Sequence, residues 1–316
     1  ALPRGLVDQI IAGHEHRGIA HEVNGIAITN SFSNARAFGR VDYRVRRDTE
    51  VVERTVHPPH RVCLTQVPGE ERCAEADDPR AAPPRYEGRS TAPSRAVLGV
   101  VEAALARADQ ARRRPLNVVL ETPITRRDGP NSAIGHLMTD AIREATGADV
   151  SIHNVVGGIR ADLPAGPLTF GDVYRVFPFD NRVAVIDMTG RALETLLAHQ
   201  VHNTSRRAGV SGLSVRVACA STGLDLTLVR PDGSIVGNGD VLSVAANDFL
   251  LFGGDGIFTP VTPEDGFDVD NSQPRVRDMW VDWFLARGGT LHADDYRGEG
   301  RWVIPPSVLR ECAPPR

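Results

Sequence analysis

The chain has no lysine, no long hydrophobic run and no large excess of charge of either sign. All 36 basic residues are arginine, which we attribute to coding bias, and they face 40 acidic residues for a net charge of −4. A nearly neutral chain offers no bulk electrostatic attraction for nucleic acid or for an anionic membrane surface. No apolar run approaches the roughly 18 residues that span a bilayer. We therefore expect neither a membrane span nor a nucleic-acid partner.

Cysteine is scarce, with four residues in a chain of 316. Cys63 and Cys73 flank a Pro-Gly turn, so a local disulfide between them is geometrically easy, and Cys219 and Cys312 would then pair over a long distance. Four free buried thiols are the alternative interpretation. Disulfides persist in oxidising compartments, so the cysteines predict an extracytoplasmic location, although no secretory signal is visible in this sequence.

Two histidines follow a short apolar run near the start of the sequence. Leu6–Ile11 predicts a buried strand, and Gly13 then leads into His14, Glu15 and His16. In an extended segment, side chains two residues apart project to the same side, so both imidazoles could reach one metal ion or two adjacent ones. A surface loop carrying two solvated histidines is the alternative.

The sequence predicts two domains joined by a helix, with boundaries at residues 1–90, 91–115 and 116–316. A stretch rich in proline, arginine and alanine precedes the helix and has no apolar periodicity, which is typical of an extended connector. Arg95–Arg113 carries one apolar stripe and predicts the linking helix, which Pro115 ends. The length of the chain is sufficient for two modest hydrophobic cores.

The second predicted domain mixes helices and strands without a strict alternation of the two, which favours an α+β fold with a mixed sheet. A helix over Ala133–Thr146, capped by Asn131 or Ser132 and closed by Gly147, precedes a strand over Val150–His153. The other strands predicted along the chain are Gly25–Ser31, Phe38–Val45, Asn117–Leu120, Val183–Met188, Gly212–Ala218, Leu224–Val229 and Val241–Ala246. The other predicted helices are Thr189–Gln200 and Val276–Leu285.

Two loops of this domain each combine an aromatic ring with polar groups. One loop presents Phe179 and Asn181, and it comes after a Gly-rich loop that ends in Arg160. The other lies within Ala246–Phe258 and holds another phenylalanine, a double glycine and Asp255. Two such loops can form a slot for a flat, polar, anionic molecule, a description that fits a nucleotide.

Several motifs in this part of the chain occur together in one known family. They are NSAIGHLMTDAI, NVVGGIRADLPAG, VYRVFPFDN, DMTGRAL, VSGLSV and NDFLLFGGDGIF. With these motifs the chain resembles the 5′-nucleotidase family over residues 117–258. That family joins an N-terminal metallophosphoesterase domain to a C-terminal nucleotide-recognition domain. The resemblance implies that residues 7–45 are the last part of the metallophosphoesterase α/β sandwich, where His14 and His16 match the final metal motif, Gly-His-x-His.

The resemblance also implies how the recognition residues act. Phe179 and Phe249 would hold the nucleobase between their rings, Asp255 would accept hydrogen bonds from ribose hydroxyls, and Arg160 would pair with phosphate oxygens. The alternatives are two core phenylalanines, an aspartate that forms an Asx-turn, and an arginine in an ordinary salt bridge.

Three further residues match the family pattern. Asn181 would hydrogen-bond either the base edge or its own loop. Arg127 lies where the family often places another phosphate-facing arginine. Asn154 matches the asparagine that precedes the family's glycines.

The resemblance implies a pair of divalent metal ions and hydrolysis of nucleoside phosphates by the intact protein. The family's other metal motifs and its general-acid histidine lie upstream of Gly-His-x-His, and the twelve residues before Gly13 hold none of them. We expect a fragment or truncated product that binds metal poorly and hydrolyses little by itself. Nucleotide sugars and cyclic nucleotides are alternative substrates. A non-catalytic nucleotide- or nucleoside-binding module is the alternative function.

Overall fold

The computed structural model describes residues 5–47, 51–70, 72–75, 77–91, 93–126, 131–203, 207–221, 223–270, 272–297 and 300–312. The chain divides into two units, Ala1–Glu102 and Ala103–Arg316. The division falls inside helix α1 (Arg95–Arg112), which lies within the segment predicted to link two domains.

The first unit contains strands of two to eleven residues before helix α1. They are β1 (Gln9–Ile11), β2 (Gly18–Val23), β3 (Ile26–Ser31), β4 (Ala37–Val45), β5 (Val51–Arg61), β6 (Arg85–Tyr86) and β7 (Arg89–Ser90). β3 pairs in parallel with β1 and antiparallel with β2, while β4 and β5 form a separate antiparallel pair. The predicted strands at β3 and β4 are present, but only the last three residues of Leu6–Ile11 form a strand.

The four cysteines form the two predicted disulfides. Cys63 pairs with Cys73, with their Cα atoms 5.1 Å apart, and Cys219 pairs with Cys312, with their Cα atoms 5.8 Å apart. Both separations lie within the range that a disulfide spans. The long-range pair connects Cys312 to a strand residue 93 positions earlier, so it tethers the C-terminal segment.

The second unit contains the remaining strands and helices. Its strands are β8 (Pro115–Leu120), β9 (Val150–His153), β10 (Gly166–Thr169), β11 (Val183–Thr189), β12 (Gly209–Ser211), β13 (Ser214–Ala220), β14 (Gly223–Val229), β15 (Val241–Asn247), β16 (Gly289–Leu291) and β17 (Trp302–Val303). Its helices are α2 (Ala133–Thr146), α3 (Val155–Gly158), α4 (Phe170–Val176), α5 (Gly190–Gln200), α6 (Asp248–Leu251), α7 (Val276–Arg287) and α8 (Pro306–Glu311).

A four-stranded sheet in the order β11-β15-β9-β12 lies at the centre of this unit. β15 and β9 are parallel, and each outer strand is antiparallel to its neighbour. Two three-stranded sheets, β10-β8-β16 and β14-β13-β17, also mix parallel and antiparallel pairs. The predicted α+β fold with mixed sheets is therefore confirmed.

Apolar clusters cover both faces of the central sheet. On one face, Val150 and Ile152 of β9 belong to a cluster that includes Leu193 of α5. On the other face, the Ser151 hydroxyl donates to a backbone carbonyl of α2 at 2.6 Å, and the His153 ring lies against an aromatic side chain of α7. All four residues of β9 are buried, as expected for a strand packed on both faces.

Helix α2 has the bounds that its sequence predicts. The Ser132 hydroxyl caps its N-terminus by accepting from the Gly135 amide at 3.1 Å, and Gly147 ends it with a φ of 68°. Asn131, the alternative cap, instead hydrogen-bonds the backbone of Trp302. Local capping signals therefore fix this helix.

Two predicted elements form with differences. Helix α1 is present, but none of its described side chains is buried despite the apolar stripe, and Val97 is 60% exposed. The strand predicted over Gly212–Ala218 forms as β13, which begins two residues later because the chain turns at Gly212 with a φ of 86°. Among the described helices, none combines the length and apolarity needed to cross a bilayer.

Candidate functional site

Three loops meet at one edge of the central sheet. β9 and β15 are parallel, so their carboxyl ends lie at the same edge, and β11 starts there because Val183 pairs with Asn247. The loops are residues 154–160 after β9, residues 177–182 before β11, and residues 247–256 at the end of β15 and beyond it. Together these three loops are named the edge cluster. Ligand sites of sheets with parallel strands commonly form at the carboxyl ends of the strands.

Asn154 and Asp255 connect two loops of the edge cluster. Asn154 is buried, and its Nδ2 donates to Oδ2 of Asp255 at 2.7 Å. Asp255 is exposed and has a φ of 52°, in a turn that Gly253 enters with a φ of 93°. The carboxylate is thus held from another loop, and no hydrogen bond of an Asx-turn is present at Asp255 among the described residues.

The glycines before Arg160 allow the first loop to fold closely around Asn154. Gly157 has a φ of 103°, a conformation that favours glycine. A Cβ atom added at Gly158 would collide with Oδ1 of Asn154. The two glycines therefore leave room for the asparagine that contacts Asp255.

Arg160 lies over the ring of Phe179. The guanidinium carbon is 5.2 Å from the ring centroid, within the range of a cation–π interaction. Arg160 is exposed and forms no ion pair with any residue that the structure describes, so the salt-bridge alternative has no partner here. Phe179 is half-buried, and its edge packs against Phe177 with 5.1 Å between centroids.

Phe249 presents its ring to solvent. Its side chain is 42% exposed, and a Cβ atom added at Gly254 would collide with the ring, so this glycine lets the loop lie against it. In the described part of the chain, no ring contact joins Phe249 to Phe179. Phe249 is therefore not a core phenylalanine, and the two rings remain separate side chains on neighbouring loops.

Asn181 connects the loops that carry the two phenylalanines. Its Nδ2 donates to Oδ1 of Asp248 at 2.8 Å, and the same oxygen accepts from the Phe249 amide at 2.7 Å. The Asp248 amide donates to the Arg182 carbonyl at 2.9 Å. The hydrogen bond of Asn181 therefore runs to a neighbouring loop, whereas the sequence predicted a bond to either the base edge or the residue's own loop.

Sequence reasoning missed two residues that hold the edge cluster together. Asp248 follows Asn247, whose Oδ1 caps α6 by accepting from Leu250 at 3.0 Å, and this capping pattern is a usable local signal. Arg277 of α7 is buried and donates to the Phe179 carbonyl at 3.1 Å and to Asp180 at 2.8 Å. No local pattern reveals such a distant partner. The hydrogen bond from Arg277 lowers the pKa of Asp180.

The segment that contains the edge cluster matches a known family. Residues 108–262 match the family model described as 5′-nucleotidase, C-terminal domain. The chain carries a 5′-nucleotidase C-terminal domain. The resemblance seen in the sequence motifs is thereby confirmed for this part of the chain.

Two curated proteins are similar to most of the chain. The chain is 27% identical to the cell wall protein Lmo0130 of Listeria monocytogenes over 80% of its own length and 32% of that protein. It is 26% identical to the trifunctional nucleotide phosphoesterase protein YfkN of Bacillus subtilis, over 80% of its length and 17% of that protein. The chain thus spans a third or less of these curated relatives.

A solved structure shows the same fold. The 5′-nucleotidase precursor of Thermus thermophilus superposes with a TM-score of 0.54 at 20% identity, covering 94% of this chain and 59% of that one. At this level of identity the similarity supports the fold alone.

The predicted phosphate-facing residue Arg127 lies outside the described residues. Its neighbour Arg126 is described, and its guanidinium donates to the carbonyl of Ile159 at 3.3 Å, next to Arg160. The 5′-nucleotidase C-terminal domain therefore places one described arginine, besides Arg160, beside the first loop of the edge cluster.

The two histidines of the first unit do not have the backbone that the sequence predicted. His14 and His16 have φ values of 69° and 54°, so the segment is a bend in the left-handed region and not an extended strand. The argument from extended geometry is therefore wrong. Both histidines are exposed, and the described residues contain no group of three or more histidines, cysteines or acids that could hold a metal ion. The residues present do not complete a metal site.

His153, the last residue of β9, gives a testable pH dependence. It is fully buried, and desolvation lowers its pKa from 6.5 to about 4. In the unfolded chain the imidazole binds a proton near pH 6.5, whereas in the folded domain it binds one only near pH 4. The contribution of His153 to the free energy of unfolding is therefore complete above pH 6.5. It is lost, at about 1.4 kcal/mol per pH unit, as the pH falls towards 4. Denaturant unfolding of His153→Asn should therefore show a shallower loss over this window than the unmodified domain.

The exposed His199 provides the matched control, because its substitution His199→Gln removes a histidine without removing a buried one. We expect the pH dependence of this control to equal that of the unmodified domain. Equal pH dependence in the His153 variant as well would contradict the assignment of a buried, neutral His153.

Proposed function

We propose that the intact protein hydrolyses nucleoside phosphates in a metal-dependent reaction of the 5′-nucleotidase type, and that this chain supplies the recognition of the nucleotide. One observation carries the proposal. The edge cluster contains an exposed phenylalanine ring, a half-buried one, an arginine without an acidic partner among the described residues, and an exposed carboxylate, all on loops at one edge of a buried sheet. These groups match the base, phosphate and ribose of a nucleotide.

In this proposal each group of the edge cluster contacts one part of the ligand. Phe179 and Phe249 stack on the two faces of the base, an interaction that tolerates different bases. Arg160, whose guanidinium already lies over Phe179, turns its fork towards phosphate oxygens. Asp255 accepts hydrogen bonds from ribose hydroxyls while Asn154 holds its other side.

Asn181 supports the proposal in a different way. Its bond to Asp248 fixes the loop of Phe179 relative to the loop of Phe249 before any ligand arrives. A recognition site whose loops are already connected loses less conformational freedom when it binds. The carbonyl oxygen of the same amide is proposed to face the base edge.

The hydrolytic step is assigned to the metallophosphoesterase part of the intact protein. Divalent metal ions there would lower the pKa of a bound water molecule and stabilise charge on the phosphoryl oxygens. His14 and His16 are proposed to contribute two of the ligands, and the first unit is proposed to be the end of that domain. The described residues do not complete this ligand set, so no reaction step is assigned to them.

An extracytoplasmic location fits the same proposal. Two disulfides are present, and such bonds persist in oxidising compartments. One relative is named as a cell wall protein. Nucleotide sugars and cyclic nucleotides share the base and ribose with nucleoside monophosphates, so both belong to the range of proposed substrates.

A non-catalytic nucleotide-binding module is the second candidate. It is favoured by the contrast between the edge cluster, where Asn154 already supports the Asp255 carboxylate, and a described metal-ligand set that is incomplete. Titration of this chain with AMP, with and without Mn²⁺, separates the two when released phosphate is measured in parallel. We expect binding that is independent of metal and little phosphate release from the chain alone. Rapid release would show that the chain is itself a complete hydrolase, and absence of binding would contradict both candidates.

Phe249 allows a direct test of base stacking. Because its ring is exposed, Phe249→Ala should leave the thermal unfolding temperature nearly unchanged while it removes stacking worth about 1–3 kcal/mol. Adenosine affinity, measured by calorimetry, should therefore fall by about five- to 150-fold.

Phe252 is the matched control, because it follows in the same short segment and is 65% exposed. Phe252→Ala should leave the adenosine affinity at the value of the unmodified chain. An equal effect of both substitutions, or no effect of Phe249→Ala, would contradict stacking at Phe249.

A further inference from the structure

His153 is a buried polar residue to which the proposed function gives no role. It ends β9 directly below the edge cluster, and none of its surface is exposed. Its ring lies 5.5 Å, between centroids, from both Phe177 and Trp280. An imidazole in such apolar surroundings has lost its hydrogen bonds to water. Losing its hydrogen bond within the protein as well would therefore be costly.

A chain of hydrogen bonds leads from this histidine to the surface. Nδ1 of His153 lies 3.3 Å from Nδ2 of Asn247, and the same Nδ2 lies 3.3 Å from Oδ1 of Asn154. Nδ2 of Asn154 then donates to Asp255 at 2.7 Å. Two buried amides therefore separate a buried imidazole from the exposed carboxylate.

The donor and the acceptor of each of these hydrogen bonds can be assigned. Oδ1 of Asn247 accepts from the Leu250 amide at 3.0 Å, which fixes the orientation of the Asn247 carboxamide. Its NH₂ group then has two hydrogens to share between His153 and Asn154. His153 can accept one of them only if its Nδ1 carries no proton, so the imidazole is neutral with its proton on Nε2. Burial, which lowers the pKa of His153, favours the same state.

Asp255 depends on this support. Its backbone has a φ of 52°, which is unusual for a residue with a side chain, and its carboxylate is exposed. Among the residues that the structure describes, Asn154 is the only side chain that donates a hydrogen bond to it. A change in the orientation of Asn154 would therefore release the carboxylate.

We propose that His153 is a positioning residue for ribose recognition, with an unprotonated Nδ1 that orients Asn247 and Asn154 so that Asp255 presents its carboxylate to the ribose hydroxyls. This inference rests on the proposed nucleotide-binding function, and it adds a buried residue that acts only through others. Its effect is selective, because the ribose depends on Asp255 whereas the base contacts the two phenylalanines.

Two substitutions of nearly equal size test the role of the acceptor. In His153→Asn the side-chain oxygen takes the place of Nδ1 and can accept from Asn247. His153→Leu has the same number of side-chain heavy atoms and no acceptor. Both variants lose the imidazole ring, and they differ in whether the new side chain can accept a hydrogen bond from Asn247. Thermal unfolding of each variant establishes that it is folded before ligands are compared.

The readout is the ratio of affinities for adenosine and 2′,3′-dideoxyadenosine, measured by calorimetry on the full chain. The unmodified chain and His153→Asn should prefer adenosine by about tenfold or more, since hydrogen bonds to a charged group carry that difference. His153→Leu should lose most of this preference and keep its affinity for the dideoxynucleoside. Equal preference in the two variants, whether retained or lost, would overturn the inference.

The same measurements separate this inference from the proposed function. If the unmodified chain binds adenosine no better than the dideoxynucleoside, the proposed ribose contact of Asp255 is wrong, and the inference about His153 is overturned with it. If the preference exists but does not differ between the two variants, the proposed function stands and the role of His153 fails. Should His153→Leu not fold, nitrogen-15 NMR of the unmodified chain decides. A protonated Nδ1 would overturn the inference, and an unprotonated Nδ1 with a proton on Nε2 would support it.

Discussion

The parallel pairing of β9 with β15 is the contact on which the candidate site depends. Val244 pairs with Val150 and Ala245 with Ser151, so two strands that are distant in the sequence end at the same edge of the sheet. A slip of one residue would turn each side chain of β9 to the opposite face. His153 would then leave its aromatic pocket, and the loops after the two strands would lose their common edge.

Burial on both faces protects this register. Val150 and Ile152 of β9 belong to the apolar cluster on one side of the sheet, while Ser151 and His153 contact helices α2 and α7 on the other side. The residues proposed to bind a ligand lie on loops held by this scaffold, as is common for binding sites. Hydrogen bonds of 2.7–2.9 Å between the loops, made by Asn154, Asn181 and Asp248, restrict their movement relative to one another. The fold therefore positions the edge cluster before any ligand binds.

The sequence predicts the local parts of this arrangement well and the distant contacts poorly. Helix α2 follows its capping residues Ser132 and Gly147, and the loops of the edge cluster follow their glycines, aromatic residues and family motifs. Helix α4 was missed because its seven residues are too few to show a helical period. The role of Arg277 depends on a contact across 98 positions. The bend at His14 has a left-handed backbone, a conformation that is uncommon outside glycine and that the strand pattern before it does not predict.

The claim that the edge cluster binds a nucleoside is tested most directly by a crystal structure of the chain with adenosine. The account predicts the base between the rings of Phe179 and Phe249, with the ribose hydroxyls within hydrogen-bond distance of the Asp255 carboxylate. A nucleoside bound elsewhere on the domain would contradict the account. So would rings of Phe179 and Phe249 that pack on each other with no space for the base.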